Sequence, residues 1–200
     1  MPPTDPILIE KAKLRSAALE RRDSLPAAAR AAAAEIVASR PLPVPVPPGA
    51  VVSAYWPIRS EINPILLLRR FDQVGAQLAL PTIVARGKPL CFRAWTFGEE
   101  LNRGQWGIRE PNRDAPELHP DILIVPLAAF DRRGYRIGYG AGYYDLTLNA
   151  LRAMKPITAI GLAYAMQQID AVPALPHDAR LDLVLTEREA IDCGAPAPGA

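Results

Sequence analysis

Cysteine is nearly missing: Cys91 and Cys193 are the only two in 200 residues, far apart and without metal-ligand spacing. That argues against a disulfide framework and against a structural zinc site. No uninterrupted apolar run approaches the ~20 residues that span a bilayer, so no membrane partner is expected. Met1 to Pro6 has no basic segment followed by an apolar core, so no secretory signal is read there. A surplus of one charge is missing too, since 23 Lys plus Arg stand against 21 Asp plus Glu, a formal net charge of +2. Without a global basic field, and without an aromatic-rich platform for stacking bases, nucleic-acid binding ranks low. Hydrophobic residues make up 50% of the chain and charged ones 22%, an ordinary globular composition. The expectation is a soluble cytoplasmic protein with one α/β domain over residues 1–192 and a frayed tail at 193–200.

What the chain has in excess is proline, 22 residues of it. The run Pro41-Leu42-Pro43-Val44-Pro45-Val46-Pro47-Pro48 cannot be helix, because each ring fixes φ and removes a donor. It is expected to be an extended connector between a helical N-terminus and the main sheet. Residues 6–22 read as a basic helix, and Ser24 is expected to cap a second one with Pro26 in its first turn. Strands are expected at 50–55, 77–80, 89–95, 121–125, 157–162 and 181–185, with helices from Asn63-Pro64 through Phe71 and over 143–153. Strands alternating with helices predict a three-layer α/β/α sandwich with a mostly parallel, Rossmann-like sheet. Ligands of such sheets bind beyond the carboxyl ends of the strands.

The strongest chemical signal is Arg132-Arg133-Gly134-Tyr135-Arg136-Ile137-Gly138-Tyr139-Gly140-Ala141-Gly142-Tyr143-Tyr144-Asp145. Four glycines between a buried strand and a helix let backbone N–H groups approach an anion, with the helix N-terminus aimed at it. The arginines supply charge-assisted donors suited to phosphate. Asp145 adds a carboxylate of the kind that holds Mg²⁺ beside phosphate. The spacing is neither a P-loop nor a dinucleotide fingerprint. On glycine spacing alone, a tight turn with solvated arginines explains the segment equally well.

The segment Gly138 to Asp145 resembles the signature of the 5-formyltetrahydrofolate cyclo-ligase family, also called 5,10-methenyltetrahydrofolate synthetases. Three further segments resemble that family in the same order. They are Lys11-Ala12-Lys13-Leu14-Arg15, Tyr55-Trp56-Pro57-Ile58-Arg59-Ser60-Glu61-Ile62, and Pro176-His177-Asp178-Ala179-Arg180-Leu181-Asp182-Leu183-Val184-Leu185-Thr186. The resemblance implies ATP- and Mg²⁺-dependent cyclisation of 5-formyltetrahydrofolate to 5,10-methenyltetrahydrofolate, through a phosphorylated formyl group, by a monomer or weak homo-oligomer.

It implies ATP contacts from Lys11, Arg15, Arg136, Gly138, Tyr139, Gly140, Ala141, Gly142, Tyr143 and Tyr144. Lys11 and Arg15, four apart, share one helix face. It implies folate contacts from Trp56 and Glu61, with Trp106, Tyr143 and Tyr144 as further walls. A carboxylate such as Glu61 can accept from a pterin's amino and ring N–H groups. Asp145 and Arg136 are the expected catalytic pair, and Asp145 with Asp182 the expected Mg²⁺ ligands. Tyr139 and Ala141 stand where some members of that family carry basic residues. Two other functions fit the same scaffold: a different ATP-dependent small-molecule ligase, and a folate or nucleotide binder without turnover.

Overall fold

The computed structural model describes residues 5–104 and 107–194. In chain order the elements are α1 (Pro6–Asp23), α2 (Ala27–Ser39), β1 (Val51–Ser53), α3 (Ile65–Gln73), β2 (Gln77–Thr82), β3 (Cys91–Ala94), β4 (Asn102–Arg103) and β5 (Arg109–Glu110). They continue with β6 (Glu117–Leu118), β7 (Ile122–Pro126), β8 (Ala129–Phe130), β9 (Arg136–Ile137), α4 (Tyr143–Met154), β10 (Thr158–Leu162), β11 (Leu183–Leu185) and β12 (Ala190–Asp192).

Side chains alternate across a strand, so each strand of a covered sheet feeds two cores. Leu78, Leu80, Ile122 and Ile124 enter one core with Val37 of α2 and Leu67, Leu68 and Phe71 of α3. Ala79, Leu123 and Val125 enter the other, against Leu148 and Leu151 of α4. The result is helices on both faces of one sheet. Leu68 and Phe71 are fully buried, each contributing about 2–3 kcal/mol of hydrophobic stabilisation.

The sheet runs β12-β11-β10-β7-β1-β2-β3-β6. Its five central strands are parallel, and β12, β3 and β6 add antiparallel edges. The chain leaves β1 for β2 on one side, then returns to place β7 on the other. That makes the carboxyl ends of β1 and β7 the topological switch point, where the strand order opens a crevice. The helix α1 covers this end: Ala18 packs with Ala129, Ile137 and Val172 in a third, smaller core.

Several local expectations needed correcting. Ser24 does not cap the second helix. Its backbone stays helical (φ −73°, ψ −13°) and closes α1, while its hydroxyl donates back to the Arg21 carbonyl at 2.6 Å. Pro26 occupies the N-cap of α2 without a side-chain hydrogen bond. Cys193, placed in the expected tail, is instead buried, and its N–H donates to the Asp182 carbonyl at 3.0 Å; the rest of that expected tail, residues 195–200, lies outside the described residues. The strand β12 just before it carries one buried residue, Ile191, too little apolar alternation to announce a strand. Residues 41–48 hold neither helix nor strand, yet Leu42, Val44 and Val46 pack on the core.

Candidate active site

The segments that follow β1, β2 and β7 converge on a cavity of about 190 Å³. Tyr55, Trp56, Ile58 and Glu61 come from the loop after β1, and Pro81 and Ile83 from the end of β2. Arg136, Gly138, Tyr139, Ala141, Gly142, Tyr143, Tyr144 and Asp145 come from β9, the glycine loop and the start of α4. Ten residues singled out in the sequence thus line one cavity: Trp56, Glu61, Arg136, Gly138, Tyr139, Ala141, Gly142, Tyr143, Tyr144 and Asp145. Trp106 lies outside the described residues.

The glycine loop is shaped by backbone that side chains avoid. Gly142 is the N-cap of α4 at φ +70°, and Gly140 has φ +99°. A Cβ on Gly140 would stand 3.4 Å from the Arg15 guanidinium carbon. Arg15 also donates its Nε–H to the Gly138 carbonyl at 2.7 Å, so α1 grips the loop directly. Burial alone pushes the Arg15 guanidinium below its ordinary value.

Arg136 is buried beneath the loop. It donates to the Ala179 carbonyl through Nη1 and to Asp145 Oδ1 through Nη2 at 3.0 Å. Burial lowers its pKa, opposed by the charges of Asp145 and Asp178. Asp145 accepts a second bond from the Ala179 N–H at 3.1 Å, and the neighbouring Asp178 forms an ion pair with Lys11. The segment Asp178-Ala179 therefore ties together α1, β9 and α4. Lys11 itself is buried, which is unusual for a lysine and sets it apart from the solvated residues of its helix.

Glu61 anchors the other side of the cavity. Its Oε2 accepts from the Ile58 N–H at 2.9 Å. Burial raises its pKa, against the Ile58 N–H, the Tyr139 hydroxyl, Arg22 and Arg59, all of which favour the charged form. Burial, and then Glu61, push Tyr139 up to about 12; the same two causes, partly offset by Arg136, raise Tyr144 further. Trp56 meets Trp95 edge-on at 6.0 Å and lines the cavity as well.

Asp182 is not brought to Asp145. It stands before β11, at the amino ends of the strands, where Oδ2 accepts from the Ala159 N–H at 2.7 Å and from Arg152 at 2.9 Å. Asp145 is in the first turn of α4 and Arg152 in the last, a separation of about 10 Å along the helix. The carboxylate that the fold does bring close is Asp178, four residues earlier in the same motif. Sequence reasoning missed it because both aspartates precede β11, and only the path of the loop that enters the strand decides which of them lies beside Asp145. It also missed Ile83, Leu90, Ile108 and Glu110 of the lining, and Arg22, whose buried guanidinium reaches Tyr139. The spacing Lys11, Arg15, Arg22 on one helical face was the available signal for Arg22.

Comparison with known proteins places the chain among relatives of one kind. The chain is 34% identical to a 5-formyltetrahydrofolate cyclo-ligase of Mycolicibacterium smegmatis, over 90% of this chain and 95% of that protein. It is 30% identical to the Escherichia coli protein of the same name, over 71% of this chain and 80% of that one. The NMR structure of Aquifex aeolicus 5,10-methenyltetrahydrofolate synthetase superposes with a TM-score of 0.75 at 26% identity, covering 93% of this chain and 94% of that one. No helix among the described residues is long and apolar enough to cross a membrane. The profile of the 5-formyltetrahydrofolate cyclo-ligase family matches residues 8–187, and the chain is an enzyme that belongs to that family.

Proposed function

We propose that the protein converts 5-formyltetrahydrofolate to 5,10-methenyltetrahydrofolate with consumption of ATP and release of ADP and phosphate. The observation that carries this is the meeting of two unlike half-sites in one cavity, Glu61 and Trp56 after β1 facing the glycine loop with Arg136 and Asp145. One half suits a flat, hydrogen-bonding heterocycle and the other a polyphosphate.

The chemistry explains the pairing. A formamide is a poor electrophile, and its oxygen a poor leaving group. Attack of the formyl oxygen on the γ-phosphorus of ATP expels ADP and leaves an imidate-like phosphate on the formyl carbon. The neighbouring folate N10 then attacks that carbon and loses its proton, and phosphate departs with the C–O bond. The ring closes as the methenyl amidinium. Catalysis of such a sequence is chiefly positioning and charge stabilisation.

Each residue has a role within it. Glu61 accepts from the pterin's amino and ring N–H groups and fixes its orientation. Trp56, Tyr143 and Tyr144 form walls for the substrates. Lys11 and Arg15 from α1, Arg136 from β9, and the backbone N–H groups of the glycine loop hold the phosphates. Lys11 and Arg136 are already charge-paired with Asp178 and Asp145, so nucleotide binding exchanges or extends existing partners instead of creating a cation site afresh.

Mg²⁺ fits the donors available, but only together with the nucleotide. Among the described residues no group of three His, Cys, Asp or Glu side chains could hold a metal. Mg²⁺ needs just one or two carboxylates beside phosphate oxygens and water. Asp145 and Asp178, adjacent through Ala179, are the carboxylates we assign to it. When bound it would neutralise charge on the nucleotide's phosphates. Asp182 has no part in this assignment.

The test is purified protein with 5-formyltetrahydrofolate, Mg²⁺ and ATP, followed by methenylfolate absorbance. Product that requires all three additions supports the proposal. ATP turnover without methenylfolate would point to a different ligase, and folate binding without ATP turnover to a binding protein; either result overturns it.

A further inference from the structure

We propose that Arg22 is a positioning residue, holding Tyr139 of the glycine loop against Glu61 and thereby shaping the folate end of the cavity. The inference deepens the proposed function and rests on Glu61 being a folate contact.

Arg22 is 1% exposed in the last turn of α1. Burying a guanidinium is costly unless every donor is used, and here one is not. Its Nη1 has no hydrogen-bond partner among the described residues. The fold alone therefore under-compensates this charge, which calls for an explanation in what the other nitrogens hold.

Those nitrogens grip both sides of Glu61. Nε donates to Ser60 Oγ at 2.9 Å, fixing the residue that precedes Glu61; the Ser60 hydroxyl in turn donates a hydrogen bond to Asp23. Nη2 donates to the Tyr139 hydroxyl at 2.7 Å. A hydroxyl that accepts from an arginine has its own proton free to donate; Tyr139 and Glu61 line the same cavity, and the hydroxyl favours the charged form of Glu61. The chain Arg22 to Tyr139 to Glu61 thus runs from the helix that carries Lys11 and Arg15, through the glycine loop, to the opposite wall. Tyr139 is 37% exposed, and the Arg22 guanidinium holds its hydroxyl inward at 2.7 Å.

The test is a double-mutant cycle with Arg22→Lys and Tyr139→Phe, the latter removing only a hydroxyl from a half-exposed ring. Each single variant is expected to raise KM for 5-formyltetrahydrofolate about 10-fold, with kcat within about 2-fold and KM for ATP changed far less. The double variant is expected to be no worse than the poorer single one. In the ligand-free variants the Glu61 carboxyl, which also faces Arg59, Tyr55, Tyr144 and Tyr164, should titrate higher than in the parent. Effects that multiply in the double variant, or a Tyr139→Phe protein with unchanged KM, would overturn the proposal. Should Arg22→Lys not fold, Tyr139→Phe alone decides by its folate KM and its Glu61 titration. A parent protein that makes no methenylfolate would instead overturn the proposed function, and this inference with it.

Discussion

Arg136 and Asp145 close the glycine loop on itself: Nη2 of the arginine meets Oδ1 of the aspartate at 3.0 Å, with side chains 3% and 27% exposed. The pair joins β9 to the first turn of α4, so the loop between them is held at both ends. Asp145→Asn keeps the shape and removes the charge. It is expected to lower kcat by about 100-fold or more, because the affected charge is the one developing on the phosphates, and to change folate KM far less. Arg136, left buried with a neutral partner, should cost the fold about 2 kcal/mol. Steady-state kinetics across a Mg²⁺ titration, with thermal unfolding alongside, separates the two effects. Unchanged Mg²⁺ dependence would remove Asp145 from the metal site.

Lys11 is buried against Asp178, so its replacement acts on both nucleotide and fold. Lys11→Ala is expected to raise KM for ATP about 10-fold or more while leaving folate KM near its parent value. A modest loss in melting temperature should accompany it, since Asp178 loses its charge partner. Equal changes in both KM values would mean that the lysine supports the fold and not the phosphates.

Folate affinity should fall on acidification earlier than an ordinary carboxylate would dictate. Burial raises the Glu61 pKa above 4.5, and a protonated carboxyl cannot accept from both pterin donors. The affinity is therefore full above the raised midpoint and declines as pH falls through it. For the fold the sign is opposite: between 4.5 and the raised value the native state holds a proton that the unfolded chain has released, so stability decreases as pH rises across that window. KM for folate measured against pH checks the first statement. In Glu61→Gln the acid limb should vanish and KM should be high throughout.

Asp182→Asn should leave the Mg²⁺ dependence of turnover untouched. The side chain serves the Ala159 N–H and Arg152 at the far end of α4, and the Arg152 pair is 30% and 37% exposed. Solvent screens such a pair, so the expected loss is about 1 kcal/mol of stability. An altered Mg²⁺ requirement in this variant would contradict the geometry.

What the sequence determined by itself is the set of elements and the contents of the motifs. The β-branched run at Ile122–Val125, the Asn63-Pro64 helix start and the proline run at 41–48 are local preferences, set by backbone sterics and side-chain period. The glycine spacing at 138–142 is local in the same sense, because φ +99° at Gly140 and +70° at Gly142 exclude most side chains. Short strands with little apolar content, such as β12 and the β8–β9 hairpin, were not legible, since their pairing partners and not their composition create them. Strand direction and helix placement were decided only in three dimensions. Asp178 and Asp182 sit in one motif ahead of β11, yet which of them reaches the cavity depends on the path of the loop that carries the chain into that strand. Arg22 looked like one more basic residue of a solvated helix face. It became part of the site because α1 packs over the switch point and puts its guanidinium, with nowhere else to go, between Ser60 and Tyr139.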